Sequence, residues 1–122
     1  MTALTAERCV ACRADSPQVT DQEINELHTQ VPDWRFIEED DIRKLQRVYR
    51  FRDFAQAVSF TNAVADLAES EGHHPRLTTE WGRVVVTWWT HKIRGLHRND
   101  FIMGAKTDEL HERMAEPKGG KC

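Results

Sequence analysis

The segment from Asp53 to Gly72 limits what this chain can become more than any other. Asp53 is a favourable helix N-cap, and Gln56 stands at the capping-box position three residues on. Phe54, Val58, Thr61, Val64, Ala65 and Ala68 then fall on one helical stripe, which Ala57, Phe60 and Leu67 widen. Gly72 suits the left-handed residue that closes such a helix. A helix this broadly apolar must lie against a sheet, and the flanking segments are written as strands.

Upstream, Trp34 to Glu38 reads as a strand, Glu39-Asp40-Asp41 as a turn, and Ile42 to Phe51 as the return strand, with Leu45, Tyr49 and Phe51 sharing one parity. Downstream, Leu77 to Trp81 and Val84 to Thr90 form a second hairpin around Gly82-Arg83. In the latter strand Val84, Val86 and Trp88 point one way and Val85, Thr87 and Trp89 the other. Bulk on both faces predicts a central strand, or an outer face covered by another subunit. Thr20 and Glu23 form a capping box that opens a short helix over 21–30, which Pro32 ends. Asn99 is expected to cap a last helix over 100–114. The order α-β-β-α-β-β-α predicts an α+β two-layer sandwich, a four-stranded antiparallel sheet with three helices on one face. Residues 1–19 read as an irregular N-terminal arm, 20–115 as the domain and 116–122 as a flexible tail.

The chain has 122 residues, enough for one modest core without disulfides. Its net charge is −3 and no stretch is strongly basic, which argues against binding nucleic acid through phosphates. The longest apolar run, Val84 to Trp89, is too short to cross a bilayer, and the first residues lack the features of a secretory signal. A cytoplasmic protein is expected. Three cysteines make no disulfide framework. Cys9 and Cys12 form a Cys-x-x-Cys, read as two reduced thiols with a local packing role, with zinc shared across an oligomer as the alternative.

Chemistry concentrates in three histidines. His73 and His74 precede Pro75, between a helix end and a strand start, and His91 follows the last strand. Pro75 biases His74 towards extended backbone, so the neighbouring imidazoles need not do the same job. An antiparallel return over the eighteen residues from His73 to His91 brings the third imidazole back to the first two. Histidine exchanges protons near neutral pH, so the group can supply both an acid and a base. Surface histidines together by coincidence, or a metal site aided by Glu69, are the competing readings; the metal is disfavoured because a vicinal pair converges poorly on one ion. His28, His97 and His111 read as surface residues.

Glu69-x-x-x-His73-His74-Pro75, Thr90-His91 and Gly95-Leu96-x-x-x-Asp100 resemble the motifs of the pterin-4a-carbinolamine dehydratase family. The resemblance runs from about Leu27 to Leu110 and takes in Trp34, Phe51 to Phe54 and Trp88-Trp89. It implies an α+β sandwich and the dehydration of a 4a-hydroxytetrahydropterin to the quinonoid dihydropterin, in recycling the tetrahydrobiopterin-type cofactor of aromatic amino-acid hydroxylases such as phenylalanine hydroxylase. It implies a homodimer or homotetramer, with no metal and no cofactor, the pterin being the substrate. His73, His74 and His91 would be catalytic, and Pro75, Thr90, Lys92, Ile93 and Trp34 would contact substrate. Trp34 reads equally as a core tryptophan. Glu69 would orient His73 or His74, or be a solvated helix-end charge. Asp100 would sit in the first turn of the last helix or hold the His91 loop. The competing functions are a non-catalytic pterin-binding or dimerisation-cofactor protein, and a role in molybdopterin metabolism.

Overall fold

A computed structural model describes residues 3–10 and 15–115. The readings of Cys12 and of residues 116–122 lie outside them. The elements are α1 (Asp21–His28), β1 (Arg35–Glu39), β2 (Ile42–Arg50), α2 (Phe54–Glu71), β3 (Arg76–Glu80), β4 (Arg83–Trp88) and α3 (Arg98–Ala115). Single 3-10 turns stand at Leu4–Ala6 and His91–Ile93. The strands form one antiparallel sheet in the order β1-β2-β4-β3. This is the α+β architecture that the residue pattern predicts.

The local reasons are largely those in the sequence. The Thr20 hydroxyl accepts a hydrogen bond from the Glu23 amide and the Glu23 carboxylate accepts one from the Thr20 amide, so α1 starts on a complete capping box. Asp53 accepts from the Gln56 amide at the start of α2. Gly72 closes α2 at φ +65°, a conformation that costs glycine little. The β1–β2 turn is tight because Asp40 and Asp41 both adopt positive φ, which Asp tolerates better than most residues.

β4 is central, paired with β2 on one side and β3 on the other. Its Val84, Val86 and Trp88 are fully buried, facing Tyr49 and Leu45 across the ladder to β2. Phe60, Val64 and Ala68 of α2, Phe101 and Ile102 of α3, and Leu27 of α1 complete this core. On the opposite sheet face Val48 pairs with Val85, both half-buried.

Two features were not legible. The N-terminal arm has no hydrophobic period, yet Leu4 is wholly buried in the core, held by the Gln30 side chain that accepts from its amide. Arg47 lies on the core face of β2, where a charge is out of place. It donates to Asp108 of α3 at 2.6 Å, and Asp108 also accepts from the Trp34 indole at 2.9 Å and from the Tyr49 hydroxyl. One carboxylate thus satisfies three donors at the α3–sheet interface, which is what makes their burial tolerable. Burial of Tyr49, with the Asp108 charge against it, pushes its phenol far above its usual range, so it remains a donor.

Candidate functional site

His73 and His74 follow directly on the left-handed Gly72, and β3 begins immediately after Pro75. Trp88 ends β4, and the chain then closes a small loop in which Thr90 and Gly95 exchange backbone hydrogen bonds. His91, Lys92 and Ile93 form the 3-10 turn inside that loop. The two segments share one cleft of about 440 Å³, lined by His73, His74, Thr90, His91 and Lys92 together with Glu71, Gly72, Asn99, Cys9 and Val10.

Asp100 organises this region. It is fully buried in the first turn of α3. Its Oδ1 lies 2.6 Å from His73 Nε2. Its Oδ2 accepts from the Thr90 hydroxyl at 2.8 Å and from the His97 amide at 3.0 Å. Both roles considered for Asp100 are therefore present together: it belongs to the helix start and it holds the loop that carries His91. The His73 ring is further fixed by stacking on Trp88, with centroids 5.6 Å apart and planes within 7°.

His74 is more exposed, and its Nε2 lies 2.6 Å from Glu69 Oε2. A carboxylate can only accept. Nε2 of both His73 and His74 therefore carries a proton, and Nδ1 is the ring nitrogen turned away from the carboxylate. His91 is held differently. Its ring packs on Trp89 at 4.6 Å, and Trp89 lies under Lys44 Nζ at 4.0 Å and beside Arg76 at 5.5 Å. Glu39 grips both cations, and together they hold its carboxyl well down, at about 2.

Not every residue of the motif reaches the cleft. Trp34 is in the core, 1% exposed, its indole spent on Asp108 and its ring edge against Tyr49. It is the core tryptophan of the two readings, and its burial keeps it from substrate. Pro75 and Ile93 are half-buried beside the cleft rather than on its wall; the Ile93 carbonyl accepts from the Gln18 side chain.

α3 begins two residues earlier than its sequence suggests, and Asn99 is not its cap. His97 Nδ1 accepts from the Asn99 amide at 3.0 Å while Asp100, three residues on, accepts from the His97 amide. This resembles a capping box, with imidazole in place of hydroxyl and the second helical amide rather than the third as its donor. The His97-x-x-Asp100 spacing was the available signal. The other two histidines read as surface residues are half-buried and engaged. His28 Nε2 lies 2.7 Å from the Trp34 carbonyl, and His111 sits among Tyr49, Phe51 and Phe60.

Burial lowers the pKa of both His97 and His111, Arg47 assisting at His111. The folded state therefore prefers these imidazoles neutral. Their stabilising contribution is complete above the unfolded pKa of about 6.5 and is lost as pH falls through the lower folded values. Thermal melting between pH 7.5 and pH 5 should show Tm falling towards acid, with a smaller fall in His111→Phe. A flat curve would contradict the assignment.

The sequence profile of pterin 4 alpha carbinolamine dehydratase matches residues 17–110. The chain belongs to the pterin 4 alpha carbinolamine dehydratase family. It is 60% identical over 107 residues to a Nitrosococcus oceani protein named "Putative pterin-4-alpha-carbinolamine dehydratase", covering 88% of this chain and 95% of that one. Among solved structures it resembles a transcriptional coactivator/pterin dehydratase from Brucella melitensis, with a TM-score of 0.69 and 30% identity over 77% of this chain and 98% of that chain. It also shares the fold of a pterin dehydratase-like protein identified as a RuBisCO assembly factor in the alpha-carboxysome, at a TM-score of 0.54 and 24% identity over 64% of this chain and 88% of that chain. The family motif now has physical content: Gly95 closes the loop on Thr90, Leu96 is buried beneath it, and Asp100 ties the loop to His73.

Proposed function

We propose that this protein dehydrates a 4a-hydroxytetrahydropterin to the quinonoid dihydropterin and water. The observation that carries the reading is the convergence of His73, His74 and His91 on one cleft, two of them with their proton-bearing nitrogen fixed by a carboxylate. In the reaction the N5–H bond breaks and its electron pair forms the new double bond to C4a. The C4a–O bond breaks with it, and hydroxide leaves as water once protonated. One of His74 and His91 accepts the N5 proton and the other donates to the leaving hydroxyl, each such group contributing about 10²–10⁴-fold. His73 completes the site. Thr90 and Lys92 contact the pterin, with Pro75 and Ile93 shaping the loops behind them. The domain at 20–115 carries this activity and no metal or further cofactor takes part.

The biological setting follows from the reaction. The substrate is what an aromatic amino-acid hydroxylase leaves after using its pterin, so the enzyme serves pterin recycling in the cytoplasm beside a partner such as phenylalanine hydroxylase. Among the described residues no helix is long and apolar enough to cross a membrane. On the same reading the protein assembles as a homodimer or homotetramer.

The test is the decay of 4a-hydroxytetrahydropterin, generated in place by phenylalanine hydroxylase and followed by ultraviolet absorbance against the spontaneous reaction. Acceleration is expected, with kcat/KM bell-shaped in pH because one imidazole must be neutral while another is charged. No acceleration by folded protein would leave a pterin-binding or scaffold role instead, and a flat pH profile would remove the acid–base pair.

A further inference from the structure

The family match begins at residue 17, yet one wall of the cleft is built by residues that precede it. Cys9 and Val10 have no secondary structure of their own. They are held by side chains from the helix ends that carry the site. Asn99, 2% exposed, grips Val10 from both sides: its Oδ1 accepts from the Val10 amide at 3.1 Å and its Nδ2 donates to the Val10 carbonyl at 2.7 Å. Glu71 accepts from the Cys9 amide at 3.0 Å, and Lys106 steadies its other oxygen at 3.1 Å. Glu7 forms a two-bond pair with Arg98, at 2.8 and 2.6 Å. Desolvation raises the Glu71 pKa, but these donors outweigh it, so the group is held as a carboxylate.

Irregular chain rarely receives this many directed polar contacts, because each orders a flexible segment against its entropy. Their result is that Val10, an apolar side chain left 62% exposed, stands fixed at the cleft rather than folded away. On the dehydratase reading, on which this inference rests, the reacting nitrogen N5 is bonded to C6, the ring carbon that bears the pterin's side chain. That substituent therefore leaves the ring at the atom next to the reacting nitrogen.

We propose that the arm is the specificity wall of the cleft: Val10, positioned by Asn99, meets the C6 substituent and sets which 4a-hydroxytetrahydropterin is accepted. Asn99 is a positioning residue here, acting through the backbone of Val10.

Full-length wild type, Val10→Trp and Asn99→Ala would be assayed on two 4a-hydroxytetrahydropterins, one with methyl and one with dihydroxypropyl at C6. The quantity read is the ratio of kcat/KM for the longer substrate to that for the shorter. Both variants should lower it about tenfold, mainly through KM of the longer substrate. A ratio unchanged in both variants, or an equal loss on both substrates, overturns the inference. Dissociation constants for stable 7,8-dihydropterins with the same two substituents give an independent reading. If wild type accelerates neither substrate, the dehydratase reading fails on its own. The binding ratio then still decides whether the arm discriminates.

Discussion

Alanine at His91 is expected to lower kcat for 4a-hydroxytetrahydropterin dehydration by about 10²–10⁴-fold, the range for losing one positioned acid or base. Stability should barely move. His91 is exposed, and among the described residues no hydrogen bond reaches its ring nitrogens; only its contact with Trp89 is lost. Substitutions of this kind usually change stability by about 0.5 kcal/mol or less, a Tm shift of a few degrees. The Thr90–Gly95 backbone pair that shapes the loop does not depend on the imidazole. Rate and melting temperature should therefore separate. His91→Ala protein that melts like wild type and keeps its rate would take His91 out of the chemistry. A scaffold or coactivator role would be equally indifferent to the change, so the same pair of measurements distinguishes the enzyme from those readings.

What could be read in advance follows the range of the interactions involved. The caps at Thr20 and Asp53, the closing Gly72 and the alternation of Val84 to Trp89 are settled within a few residues, and they stand where the pattern puts them. The return of His91 to His73 and His74 is also nearly local, because one hairpin fixes it. The carboxylate partners are a step harder. Glu69 reaches His74 within one helix end, but Asp100 reaches His73 across 27 residues, and nothing local says that it does. Asn99 and Glu71 were invisible because they act on backbone of a segment without period, 89 and 62 residues away. Trp34 shows the converse limit. Tryptophan suits both a pterin ring and a core, and only the position of Asp108 on α3 decides for the core.

Removing Asp100 should have the largest effect on the fold. In Asp100→Ala the Thr90 hydroxyl, the His97 amide and His73 Nε2 all lose their acceptor inside the protein. Breaking a buried polar network of this kind costs about 3 kcal/mol or more, which lowers Tm on the order of 10 °C. Activity should fall as well, since the loop carrying His91 and the ring of His73 are both released. Asp100→Asn separates the two effects. An amide has one accepting oxygen and one donating nitrogen. Its oxygen is needed by Thr90 and His97, so its NH₂ must face His73. That forces the His73 proton from Nε2 to Nδ1 while the loop stays tied. The asparagine variant should melt close to wild type, lose about 10²-fold in kcat, and show the exchanged tautomer in the imidazole nitrogen shifts. Full activity in Asp100→Asn would mean that the tautomer of His73 is irrelevant to turnover. A Tm as low as that of the alanine variant would mean that charge, rather than hydrogen-bond geometry, is what holds the start of α3 to the sheet.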